Sequence, residues 1–211
     1  LKKYALAKLK NKKWDIIAEG IRELTLFHVK DAHDEVIKFV NHSKREVRKE
    51  VQLYLVNLFN FDGLAFLNDL KTDLSEWDQI QLLGELQKFD NQQIPDITLW
   101  LKSTNDFVVI FALKLAKIYN QFEMKEVLID LITHKSEKVR AELIPVLSHL
   151  YVVEAKEILK DNFEERNEDE QLAVFKLLEN LADNSDEDFI LDNIYHKNFE
   201  IKFLALKILR N

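Results

Sequence analysis

The chain has 211 residues, 47% of them hydrophobic, with 3 Gly, 2 Pro and no Cys. So little Gly and Pro leaves scant material for sheet turns and favours helices, and the missing Cys excludes disulfides, thiolate zinc sites and cysteine nucleophiles. A net charge of −7 argues against a protein whose main task is gripping phosphate backbones, and the longest apolar run, Phe107 to Leu113, is far short of the ~18–20 residues of a membrane-crossing helix.

Residues 1–13 carry six lysines (Lys2, Lys3, Lys8, Lys10, Lys12, Lys13) and no acid. Two readings follow: a solvated first helix, or the flank of a membrane anchor upstream of Leu1, with the domain on the cytoplasmic side. No signal peptide is visible, and a cytoplasmic location is expected. Further on, Ser43-x-x-Glu46 has capping-box spacing before a second helix. Trp77-Asp78 sets an aromatic beside an acid at a helix start, where capping is the expected role. Pro95 falls where a first helical turn is expected to open.

The stretch from Ser136 to Leu150 reads as a helix with Val139, Leu143, Leu147 and Leu150 on one face. Pro145 lies inside it and is expected to kink it and free the carbonyl of Ala141. From Tyr151 to His196, 14 acids stand against 4 bases. Within that segment Asn167-x-x-Glu170 again has capping-box spacing, and Ser185-x-x-Asp188 has a similar layout before a first helix.

One register runs through the whole chain. With Val139 as zero, the equivalent positions are Ile16, Val47, Asp78, Val108, Val139, Glu170 and Ile201, at steps of 30 or 31 residues. Four residues later stand Gly20, Val51, Leu82, Ala112, Leu143, Val174 and Ala205; eight later, Leu24, Leu55, Leu86, Ala116, Leu147, Leu178 and Leu209. Eleven before zero stand Ala5, Val36, Leu67, Ile97, Leu128, Leu159 and Ile190. Every member of these three flanking columns is apolar or glycine, which gives seven tandem units of two helices, read as one domain over residues 1–211.

The pairs Val47-Arg48, Val139-Arg140 and Ile201-Lys202, with the small or aliphatic residues four and eight later, resemble the opening of the second helix in HEAT repeats, specifically the short bacterial HEAT-like type. The resemblance implies an all-α fold: a right-handed α-α superhelix (α-solenoid) of about seven repeats of about 31 residues. It also implies a non-catalytic scaffold that binds a protein or peptide on an inner surface made of second helices. HEAT-like DNA glycosylases and bilin lyases are catalytic relatives of that family. A glycosylase or other nucleic-acid enzyme is therefore the alternative, although it needs a basic groove this acidic chain does not offer.

Histidine gives the strongest metal-like pattern, since His42, His134 and His196 each stand five residues before zero. They fall in units two, five and seven, so at roughly 10 Å per unit they cannot share an ion, and a place at helix C-termini accounts for them. No cofactor, metal or nucleic acid is expected. No Ser/His/Asp pattern, glycine-rich phosphate loop or paired-carboxylate motif stands out. The candidate binding row lies six residues past zero: Arg22, Leu53, Gly84, Lys114, Pro145, Lys176 and Lys207. Its four cations, Arg22, Lys114, Lys176 and Lys207, are expected to face an acidic or extended peptide. The sequence does not indicate an oligomeric state.

Overall fold

The protein is described here by a computed structural model covering residues 2–89 and 94–210. Among these residues every regular element is helical, and none is long and apolar enough to cross a membrane. The chain divides into two compact units, residues 1–108 and 109–211. The first holds α1 (Lys2–Lys8), α2 (Trp14–Leu26), α3 (His33–Val36), α4 (Arg45–Phe59), α5 (Glu76–Leu86), α6 (Thr98–Leu101) and the opening of α7 (Asp106–Ile118). The second holds the rest of α7 and α8 (Lys125–Asp130), α9 (Glu137–His149), α10 (Ala155–Asp161), α11 (Glu168–Leu181), α12 (Glu187–Asp192) and α13 (Phe199–Ile208).

The register governs burial. All seven residues eleven before zero and all seven four after it are buried. Six of seven are buried at eight after, with Leu209 the exception. Second helices are regular and 10–15 residues long where their bounds are given by α4 and α13. They stack on their neighbours: α2 on α4 and α4 on α5 in the first unit, α9 on α11 and α11 on α13 in the second. Polar side chains follow the same rule. Trp100 Nε1 donates to Asn68 Oδ1 at 2.7 Å, Asn180 Nδ2 to Ser148 Oγ at 3.0 Å and Asn198 Nδ2 to Glu168 Oε1 at 3.0 Å, each spanning about one repeat in sequence. Each of these bonds joins residues 30 to 32 positions apart.

First helices are shorter than the pattern predicts, and 3-10 turns adjoin α3, α8 and α12. In the third repeat the segment Asn60–Asn68 is 3-10 throughout. Gly63 shows why it sits so close: a Cβ there would come within 2.2 Å of the Leu55 carbonyl oxygen, so this chain lies directly on the backbone of α4.

Several helix ends differ from the sequence expectation. Ser43 does not cap α4. The cap position is Lys44, while the carbonyls of His42 and Ser43 accept from Arg48 Nη1 at 3.0 and 3.3 Å. Asn167 does cap α11, accepting from Glu170 N at 2.9 Å, and the Glu170 carboxylate accepts from the Asn167 side-chain amide at 3.4 Å as well as from Arg140 and Arg166. The box expected from Ser185 is shifted by two residues: Asp183 and Asp186 form it, and Ser185 donates to Asp183. Pro95 precedes the first turn of α6, which opens at Thr98 under Asp96 Oδ1 at 2.8 Å. α9 continues through Pro145, which lies on its exposed side.

The scarcity of glycine also has a structural counterpart. His28, Asn120 and Tyr151, each twelve past zero, take φ of 52°, 51° and 54°. The following amide closes back onto the helix in each case: Val29 N to Leu24 O, Gln121 N to Ala116 O and Val152 N to Leu147 O, at 2.9–3.0 Å. These are the left-handed helix ends usually given to glycine.

Candidate functional site

The basic row sits on the solvent side of the second helices. Arg22, Gly84, Pro145, Lys176 and Lys207 are exposed, and Leu53 and Lys114 are half-buried. The four cations do not stand alike. Arg22 is committed to Glu50, with Nη2 at 2.6 Å and Nε at 3.2 Å from Oε1. Lys207 is paired with Glu179. Among the described residues Lys114 and Lys176 have no carboxylate partner and present free ammonium groups.

In the second unit Lys176 borders a concavity of about 320 Å³ between α9 and α11, lined also by Lys117, Pro145, His149, Leu177 and Asn180. Lys117 lies one turn beyond Lys114 on α7 and, among the described residues, is likewise without a carboxylate partner. The floor is apolar where Pro145 and Leu177 meet, and the rim carries ammonium groups and an amide. His149 Nε2 is tied to Asn120 Oδ1 at 2.9 Å, which holds the imidazole at one edge. Such a surface can accept an extended acidic segment, with carboxylates on the lysines and small apolar groups on the floor. Lys117 was not in the row read from the sequence. It stands nine past zero, a position that shares the row's exposure only because of how far the helix has turned by its last residues.

In the first unit α5 exposes Trp77 (59%) and Ile80 (51%) beside Gly84, where a Cβ would meet nothing within 4 Å. Asp78 is not available for chemistry. It is buried, forms the capping box with Ser75, and takes Arg45 Nε at 3.2 Å and Nη2 at 3.1 Å. Burial alone would raise its pKa, but the hydrogen bonds from Arg45 and Ser75 outweigh burial and hold it below the usual carboxylate value. Of the N-terminal lysines, Lys2 pairs with Asp31, and Lys8 with Glu19 and Glu23. Lys3, Lys10, Lys12 and Lys13 are exposed.

The histidine column has a concrete role that sequence reasoning missed. His42 Nδ1 accepts from Lys44 N, His134 Nδ1 from Ser136 N and His196 Nδ1 from Asn198 N, at 3.1, 3.1 and 3.0 Å. Asn11 Oδ1 and Ser103 Oγ do the same for Lys13 N and Asn105 N, at 2.8 and 3.1 Å. Five of the seven repeats therefore use a side-chain acceptor at this position to turn the chain into the second helix. The signal was present in the sequence, since Asn, Ser and His share an acceptor geometry.

No family model matches the chain, and no curated protein matches it. Among solved structures, a crystal structure of an engineered protein is similar at 14% identity and a TM-score of 0.48, over 99% of this chain and 95% of that one. The complex of CpcE and CpcF of phycocyanin lyase from Nostoc sp. PCC7120 is similar at 12% identity and a TM-score of 0.39, over 99% of this chain and 76% of that one.

Proposed function

We propose that the protein is a HEAT-like α-solenoid acting as a non-catalytic interaction scaffold, with an acidic, extended peptide segment as its ligand. The solenoid reading is supported by the seven-fold burial register and by polar contacts that span one repeat within each unit. The binding reading is carried by one observation: the unpaired Lys176 and Lys117 over the apolar floor of the α9–α11 concavity, with Lys114 one turn away.

The test is fluorescence anisotropy with a fluorescein-labelled hexaglutamate peptide at low salt. Exposed ion pairs each contribute under about 1 kcal/mol, so reversing two of them in Lys114→Glu/Lys176→Glu is expected to weaken binding at least about tenfold, or about 1.4 kcal/mol. Equal affinity in the double variant overturns the assignment.

A further inference from the structure

Within the second unit, Lys114, Pro145 and Lys176 stand six past zero on three successive second helices, α7, α9 and α11. Lys117 of α7 and Lys176 of α11 border one concavity with Pro145 and Leu177 between them, so the two outer helices meet the same surface across α9. The row reads ammonium, apolar, ammonium. One turn before its members stand Ile110, Ala141 and Leu172; Ala141 is exposed and the other two are half-buried. A wholly apolar row thus runs beside the charged one. The free charge stops at α11, because Lys207 on α13 is already paired with Glu179.

Spacing decides what can lie on this row. Packed helices stand about 8–10 Å apart, which puts the α7 and α11 positions roughly 16–20 Å from each other. An extended chain advances about 3.3 Å per residue and crosses one helix spacing in about three residues, or both in about six. An α-helix advances about 1.5 Å per residue, needs about eleven to thirteen for the same span, and is about 10–12 Å across. The concavity holds about 320 Å³, enough for one inserted side chain but not for a helix of that width.

We infer that the ligand segment carries two carboxylates six residues apart, one for Lys114 and one for Lys176, with an apolar side chain midway over Pro145 and Leu177. This rests on the acidic-peptide reading above and adds the order and spacing of the ligand's side chains. Each repeat then reads three ligand residues, and the pattern acid-x-x-apolar-x-x-acid is the shortest that engages both free lysines.

The test uses two nine-residue serine-based peptides of one composition, acetylated and amidated. The first has glutamates at its second and eighth positions and a leucine at its fifth. The second keeps the leucine and moves the glutamates to the fourth and sixth positions. That contrast exceeds what a flexible lysine stem can absorb. Each peptide is titrated into the ¹⁵N-labelled protein at low salt, with affinity read from amide shifts on α7, α9 and α11. The spaced peptide is expected to bind at least threefold more tightly, and to lose that advantage in Lys114→Ala, in Lys176→Ala, and when its leucine is replaced by serine. Far-UV circular dichroism checks that the variants stay folded. Equal affinity of the two isomers overturns the spacing, and the acidic-peptide reading survives it if hexaglutamate binding still depends on Lys114 and Lys176. If that dependence is absent too, both readings fall. Tighter binding by an alanine-based helix with its carboxylates eleven residues apart also overturns the inference, since the ligand is then helical.

Discussion

Asp186 is fully buried and accepts from two lysines, Lys156 Nζ and Lys160 Nζ, each at 2.7 Å, while Asp183 takes a further bond from Lys156 at 2.7 Å. Burial alone would raise the Asp186 pKa, but the two ammonium hydrogen bonds outweigh it and hold the carboxyl below its ordinary 3.8. A carboxylate depressed in the folded state adds stability that is complete above its unfolded value and is lost as pH falls through the folded one. Acid unfolding followed by circular dichroism should therefore show stability falling from about pH 4 downward, with a shallower fall in Asp186→Asn. At neutral pH that variant leaves Lys156, 4% exposed, short of a charge partner. The expected cost is about 3 kcal/mol, or a drop of roughly 10 °C in melting temperature. The acceptor column gives a second test at this scale. His134→Ala should cost about 1 kcal/mol in thermal or denaturant melts, whereas His134→Asn should recover most of it, because Asn11 already makes the same bond in the first repeat.

Helix by helix, the glycines separate packing from propensity. Gly84 is exposed in the last turn of α5, and nothing lies within 4 Å of where its Cβ would stand. Gly84→Ala should stabilise by about 0.5–1 kcal/mol, since alanine loses less conformational freedom on folding. Gly20 is the reverse case. A Cβ there would stand 2.8 Å from Lys8 Cβ and 2.9 Å from both the Ala5 carbonyl oxygen and Leu9 Cδ1. The closeness of α1 to α2 depends on that absent methyl, and Gly20→Ala should destabilise by about 1–3 kcal/mol. Differential scanning calorimetry of the two variants should show melting temperatures moving in opposite directions. The sequence marks both glycines as repeat positions, four and six past zero, but the sign of each substitution comes from which side of the helix meets a neighbour.

For the molecule as a whole, charge supplies the discriminating experiment. With a net charge of −7 and many of its cations tied to its own carboxylates, the protein should show no retardation of duplex DNA in a gel-shift assay at about 50 mM salt, where phosphate contacts are strongest. A retarded band that weakens steeply with added salt would favour a nucleic-acid enzyme over the scaffold.

The sequence by itself determined the helical class, the repeat length and which columns are buried. A spacing near 31 residues kept through Ala5, Gly20, Leu24 and their equivalents selects the same face of every helix pair. Tertiary structure decided what a linear pattern does not contain. It shortened the first helices into 3-10 segments, because chain such as Gly63 rests on a neighbouring backbone. It gave Glu170, which also keeps its contact with the cap residue Asn167, a second partner in Arg140, thirty positions away. It divided four like-charged candidates into two that are spent, Arg22 and Lys207, and two that are free, Lys114 and Lys176. Each of these outcomes depends on contacts between residues about thirty positions apart, where charge and shape on one repeat meet charge and shape on the next.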